Sequence, residues 1–262
     1  MDWRERDGVR WLEATMHGAH AAFTTRLGGV SEPPFDTLNL GVLTDDDEDA
    51  VRENRRRLAA ALGVDPGQVP IGLQVHGGEI LRHTSPQSPS PFATPGSPLP
   101  EADGHVVTAP GLTPLVFVAD CLPVALLGPR GLALLHCGWR PLAAGIVGKG
   151  AAMVEATEAA IGPGIGPCCY EVGDEVLAAF DGLGEGIADG RMLDLPEVAR
   201  RLLAAAGVRK VEVAGLCTSC EADIFFSHRR DGSRTGRQAG LAWLNPIEFP
   251  TGEMPLARAA AV

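Results

Sequence analysis

No stretch of this 262-residue sequence reaches the ~18 uninterrupted apolar residues that a membrane-spanning helix needs, so no helical span is expected. The opening "MDWRERDGVRWLEATMHG" has no apolar h-region, which argues against a secretory signal and makes the cytoplasm the expected location. Positive charge is scarce: the net charge is -11, and nucleic acid or an anionic membrane surface is not expected as a partner. Lysine occurs only as Lys149 and Lys210, a habit of composition rather than a functional signal. Six cysteines are too few for a disulfide scaffold in a chain this long and apolar, so they read as reduced thiols available for burial, metal or chemistry. Seven histidines occur without an H-x-H pair, which speaks against a multicopper site. There is no Walker pattern, no G-x-G-x-x-G and no H-x-E…P-C-x-x-C, so neither a nucleotide cofactor nor a cytidine-deaminase zinc site is implied. No internal repeat or sustained heptad requires an oligomer, and a monomer is consistent with the sequence.

Punctuation by Gly and Pro divides what is present. "AHAAFTTR" reads as a strand running into the loop "LGGVSEPPFDTLNLG". "DDDEDAVRENRRRLAAALGV" reads as a helix, with acids in its first turn and Gly63 as its stop. "VPIGLQVHG" reads as a short strand ending at His76. Residues 84–100, "TSPQSPSPFATPGSPLP", read as a Pro/Ser-rich surface insertion, mobile by composition. "ADGHVVTAPG", "TPLVFVADC", "LPVALLG" and "GLALLHCG" read as four strands. A helix is expected from Pro141 to Gly162, two more over "VGDEVLAAF" and "LPEVARRLLAAAG", and strands over "VRKVEVAGLC" and "GRQAGLAWLN". The expectation is an α/β (α+β) fold, a mixed β-sheet core covered by helices in a single domain over 1–262.

The turn "GPRG" sets a hairpin register in which Leu127 pairs with Leu132 and His136 faces Pro123. Cys121 then points to the same face as His136, a diagonal relation of ~7–8 Å that two side chains can close around one ion. Cys137 falls on the other face, and a one-residue slip would exchange it with His136. A thiolate and an imidazole suit zinc; His76 would supply a third ligand and leave one position open for water or substrate. The same residues also fit a buried thiol beside a satisfied histidine, or a Cys121 nucleophile with His136 as base.

The segments "TTRLGGVSEPPFDTLNLG", "NRRRLAAALG", "QVHG", "ADG", "ADCLPV", "HCGWR", "IGPGIGPCCYEVG", "FFSHRRDG" and "TGR" together resemble the YfiH family. This is the former polyphenol-oxidase "laccase domain" family, whose members are described as purine nucleoside phosphorylases. The resemblance runs over residues ~20–245. It implies one α/β domain with zinc on His76, Cys121 and His136. It also implies phosphorolysis of adenosine, inosine, guanosine and methylthioadenosine, and deamination of adenosine. Purine nucleoside and phosphate are then the partners. Arg26, Arg140, Arg229 and Arg230 are candidates for phosphate, and Asn39 and Ser227 for substrate hydrogen bonds. Asp120, beside the ligand cysteine, is a catalytic candidate with Cys121 and His136; Asp103 is a second carboxylate able to orient a ligand or shuttle a proton. Cys137 and Pro141 depart from the family's usual H-A-G-W-R-G, and the insertion after His83 is longer than usual.

Three other readings stand beside this one. The first is a Cys–His hydrolase acting on an amide. The second is a role in cell-wall editing, since some relatives are called peptidoglycan-editing factors. The third is a copper-dependent polyphenol oxidase, with Cu2+ as an alternative or adventitious metal. "CTSC" (217–220) reads as a lone C-x-x-C of packed thiols, and adjacent Cys168 and Cys169 as a pair unable to share an ion.

Overall fold

A computed structural model describes residues 1–85 and 90–245. The chain opens with three antiparallel strands, β1 (Asp2–Arg6), β2 (Val9–Met16) and β3 (Ala19–Thr24). Helix α1 (Glu48–Leu62) follows. Its N-cap is Asp47, whose side chain accepts from Ala50 N–H, and Gly63 ends it with φ at 70°. Next come β4 (Ile80–His83), β5 (Gly104–Val107), β6 (Leu115–Val118), β7 (Leu122–Gly128) and β8 (Gly131–Cys137). Then α2 (Trp139–Ala143), α3 (Ile146–Val154), β9 (Glu158–Ile161) and α4 (Asp174–Ala178) lead to the small hairpin β10 (Ala188–Asp189) and β11 (Met192–Leu193). The last elements are α5 (Leu195–Ala205), β12 (Lys210–Val213), α6 (His228–Asp231) and β13 (Gln238–Leu244).

Two large sheets result: β1-β2-β3-β13-β6, antiparallel throughout, and β12-β9-β7-β8-β5-β4, which is mixed, with β12 parallel to β9 and β4 parallel to β5. The hairpin β7–β8 is central to the second sheet, and thirteen of its fourteen strand residues are buried. One face, with Val124, Leu126 and Leu135, packs on Val147 of α3 and on Val198 and Leu203 of α5. The other, with Ala125, Leu132 and Leu134, packs on Ala14, Ala21 and Phe23 of the first sheet. Leu58 of α1 covers the far face of that first sheet, against Trp11, Ala22 and Leu241. The layers therefore run helix, sheet, sheet, helix, and the strand pairs supply the apolar interior. Gly240 permits the sheets to approach, since a Cβ there would sit 2.5 Å from Pro123 Cβ.

Four expectations are corrected. The segment 69–77 is not a strand: it makes one bridge, Leu73 with Glu101, and then turns, with His76 at φ 58°. The helix read from Pro141 to Gly162 breaks at Gly145 (φ 79°), and its last part is β9, buried beside β7. Pro141 lies inside α2, itself only one turn long. Finally, residues 2–16 form two strands where none was expected. Of the Pro/Ser-rich insertion, residues 86–89 lie outside the described residues; Phe92 beyond them is buried, and Ser90 donates to Val69 O.

Candidate metal centre

The hairpin register is the one that the turn dictates: Leu127 pairs with Leu132 and Pro123 with His136. Cys121 precedes β7 and follows Asp120, which sits at φ 94°. His136 lies at the end of β8, where its N–H donates to Asp103 O on the neighbouring strand's approach. His76 comes from the turn after the Leu73 bridge. One ligand atom from each of His76, Cys121 and His136 falls within 4.8 Å of the other two. His76 Nε2 and Cys121 Sγ are 3.8 Å apart, and the two imidazoles meet edge to face at 4.8 Å.

The buried Asp103 carboxylate assembles this trio. It accepts from the N–H groups of Val75, His76 and Gly77 at 3.2, 3.0 and 2.7 Å, which fixes the turn that presents His76. Its Oδ1 also lies 2.7 Å from His136 Nδ1. An ionised carboxylate only accepts, so Nδ1 carries a proton, and Nε2 is the atom that His136 can offer a metal once it has given up its own proton. Burial alone would raise the Asp103 carboxyl, but the His136 and Gly77 hydrogen bonds outweigh it and hold it below the usual range.

Charge is coupled across the trio. Burial pushes the Cys121 thiol up, yet the facing His136 charge and the hydrogen bonds from both histidines bring it down to about 6. Burial likewise pushes His136 down, while the Cys121 thiolate and Asp103 raise it to about 9. Near neutrality the pair is therefore thiolate and imidazolium. Cys137 lies in the helix-side core, where burial drives its thiol well above the ordinary value, and its sulfur is not in the donor cluster of His76, Cys121 and His136.

Do these residues fit a metal? A tetrahedral ion at ~2.0–2.3 Å from N and S donors separates its ligands by roughly 3.4–3.8 Å, and the observed His76–Cys121 distance is 3.8 Å. Gly138 leaves the space the trio needs, because a Cβ there would lie 2.8 Å from Cys121 Sγ. A carboxylate behind a ligand histidine completes a common zinc arrangement. The residues fit. A set of two imidazoles and one thiolate also accommodates copper.

The trio opens into a cavity of about 610 Å³, within the ~300–1,000 Å³ typical of small-molecule sites. Trp139 and Tyr170 line it, as do Arg140 and Arg229. Arg140 stacks over Trp139 and Arg229 over Tyr170. The other two arginine candidates are held elsewhere. Arg26 pairs with Asp36 and donates to Ala222 O, and Arg230 pairs with Asp231 and donates to Thr218 O. Neither lines the cavity, and neither does Asn39, which bonds Thr44, Asp46 and Arg237 N–H. Ser227 caps α6. Asp120 borders the cavity, with both carboxylate oxygens engaged: Oδ1 by Thr218 Oγ1 and Oδ2 by Arg229 N–H, each at 2.7 Å.

Sequence reasoning missed two cavity arginines, Arg55 and Arg237. Arg55 is buried in α1, donates to Leu40 O and Phe92 O, and its Nη2 has no partner among the described residues. Its place beside Asn54 on the face that also carries Val51 and Leu58 was the available signal. Sequence reasoning also kept apart Cys168, Cys169, Cys217 and Cys220, which the structure brings together outside the cavity.

Comparison with known proteins gives a consistent relationship. The family model described as "Multi-copper polyphenol oxidoreductase laccase" matches residues 20–245. "Purine nucleoside phosphorylase YfiH" of Escherichia coli is 39% identical over 241 residues, covering 87% of this chain and 94% of that protein. "Purine nucleoside phosphorylase PA4543" of Pseudomonas aeruginosa is 40% identical, covering 86% of this chain and 93% of that one. The crystal structure of YlmD from Geobacillus stearothermophilus superposes with a TM-score of 0.85 at 34% identity, over 93% of this chain and 98% of that one.

Proposed function

The chain belongs to the multi-copper polyphenol oxidoreductase laccase family, and from that membership we propose that it is a zinc-dependent purine nucleoside phosphorylase. Its substrates on this reading are adenosine, inosine, guanosine and methylthioadenosine, and it also deaminates adenosine. The supporting observation is the trio of His76, Cys121 and His136, with donor atoms within 4.8 Å of one another at the wall of a nucleoside-sized cavity. The relatives named purine nucleoside phosphorylase support the substrate class.

Zinc, when bound by these residues, supplies Lewis acidity and a water of lowered pKa. Asp103 orients His136 and the His76 turn. Trp139 and Tyr170 offer flat faces to a purine, and Arg55, Arg140, Arg229 and Arg237 offer guanidinium groups to phosphate. In phosphorolysis, a phosphate oxygen bonds to the anomeric carbon as the bond to the base nitrogen breaks. The electron pair leaves with the base, which takes up a proton, and the products are ribose 1-phosphate and free purine. Deamination adds water at purine C6 and releases ammonia. Asp120, with both oxygens engaged, acts by positioning Cys121 and the Arg229 backbone.

The zinc-loaded protein given inosine is expected to release hypoxanthine and ribose 1-phosphate only when phosphate is present, and given adenosine without phosphate to release inosine. Inertness toward every purine nucleoside would overturn the reading. Activity with copper that zinc abolishes would move it to an oxidase; among the described residues only one donor cluster contains histidine, which favours zinc.

A second reading has its own observation. Cys121, His136 and Asp103 lie in line as thiolate, imidazolium and carboxylate, the arrangement of a cysteine hydrolase acting on an amide such as a muropeptide precursor. Activity that survives complete metal removal and is lost on thiol alkylation would select it.

A further inference from the structure

Cys168 and Cys169 lie in the turn after Gly166, and Cys217 and Cys220 in the turn after β12. Forty-seven residues separate the two pairs in sequence, yet all four Sγ atoms lie within 4.8 Å of one another. Cys220 Sγ is 3.3 Å from Cys168 Sγ and 3.4 Å from Cys169 Sγ. We propose that these four thiolates form a second, structural zinc site, an all-cysteine clip separate from the His76–Cys121–His136 centre.

The local backbone explains how adjacent cysteines share one side. In an extended strand, Cys168 and Cys169 would point to opposite faces. Here the N–H groups of Cys169 and Tyr170 both donate to Gly166 O, at 3.0 and 3.1 Å, so the chain coils and both thiols face the second turn. The 217–220 segment coils likewise, Glu221 N–H donating to Cys217 O at 3.0 Å. A bridge between Gly164 and Cys217 ties the two turns together, and Gly166 N–H donates to Cys217 Sγ at 3.3 Å, the kind of backbone bond that supports a thiolate ligand.

Ligand chemistry selects the ion. Thiols are weak hydrogen-bond donors and have little reason to gather four at a time on a surface where two of them are exposed. Four sulfurs in a closed set suit tetrahedral zinc, whose ~2.3 Å bonds space the sulfurs roughly 3.8 Å apart, amid the observed separations. With four protein ligands no coordination position stays open, so the role is structural. The clip would fasten two walls of the large cavity: Tyr170 follows Cys169 directly, and Thr218 inside the C-x-x-C donates to Asp120 beside Cys121.

The test is metal and thiol counting on the full chain purified under mild reducing conditions. The expected result is about two zinc ions per wild-type chain. The Cys217→Ser/Cys220→Ser double variant is expected to lose one of them, and the His76→Ala/Cys121→Ser variant to lose the other. Cobalt loaded into the His76→Ala/Cys121→Ser variant should then give the intense visible bands of a tetrahedral tetrathiolate. Because the double serine variant could fail to fold, the exposed Cys168→Ser variant and the cobalt spectrum carry the proposal without it. A zinc content unchanged by Cys168→Ser and by the double variant would overturn it. So would a cobalt spectrum without sulfur charge transfer, or an intact mass lacking two hydrogens per bridge under those reducing conditions, which would make the cluster a disulfide pair.

Discussion

Asp103 Oδ1 and His136 Nδ1 lie 2.7 Å apart, both residues buried, and the same carboxylate accepts three successive N–H groups around His76. One side chain therefore sets the tautomer of one candidate ligand and the backbone of another. Asp103→Asn is expected to keep the fold and weaken zinc binding by roughly 10–100-fold, the usual cost of losing an outer-shell partner. Competition with a coloured chelator reads this directly, and an unchanged affinity would remove Asp103 from the site. Asp103→Ala should also destabilise the protein, by about 3–5 kcal/mol, because a buried imidazole loses its partner.

Gly138 is expected to tolerate no side chain. In Gly138→Ala the new Cβ would meet Cys121 Sγ at 2.8 Å and His76 Cδ2 at 3.4 Å. Its backbone has φ at -79°, which alanine adopts freely, so the clash is confined to the trio. Metal content should drop while the far-UV spectrum stays as in the wild type; a variant that retains stoichiometric metal would contradict the assigned geometry.

Zinc binding should release protons in a defined window. Cys121 is brought down to about 6 and His136 raised to about 9, so between these values the metal-free Cys121–His136 pair holds one proton that the metal must expel, that of His136. Zinc affinity should rise about tenfold per pH unit from 6 to 9, and more steeply below 6, where Cys121 is protonated too. The metal-free ion pair depends on pH at both ends. The His136 contribution to stability is full below its ordinary value of 6.5 and is lost as pH rises through 9; the Cys121 contribution is full above 9 and is lost as pH falls through 6. Calorimetry at pH 7.5 in buffers of different ionisation enthalpy would count the proton.

Arg55 separates a phosphate role from a structural one. Burial lowers its guanidinium to about 10, still charged near neutrality, and among the described residues its Nη2 has no partner. Arg55→Lys keeps the charge but cannot bond Leu40 O, Phe92 O and an anion together. On the proposed phosphorylase activity, the KM for phosphate should rise about tenfold while the KM for nucleoside changes little. Arg26→Ala, outside the cavity, should leave both constants in place and lower the Tm instead.

Legibility in the sequence followed the range of the interaction. The β7–β8 register was readable because a four-residue Gly-Pro turn and two apolar strands fix it locally. Helix α1 was readable from its first-turn acids and terminal glycine. The 69–77 segment was misread, since its apolar residues alternate like a strand while the Asp103 carboxylate, far along the chain, pulls its backbone into a turn. The helix read through residue 161 failed because pairing with Leu126 on β7 overrides the alanine-rich helix propensity of β9.

By itself, the sequence determined which residues have side chains able to hold a metal and which strands flank Cys121 and carry His136, because side-chain type and short-range periodicity are local properties. Tertiary structure alone decided that Asp103 rather than Asp120 faces His136, that Arg55 and Arg237 replace Arg26 and Arg230 at the cavity, and that four scattered cysteines meet. Those outcomes depend on loops brought together across the whole chain, where the geometry is fixed by packing between sheets and no short stretch of sequence encodes the meeting.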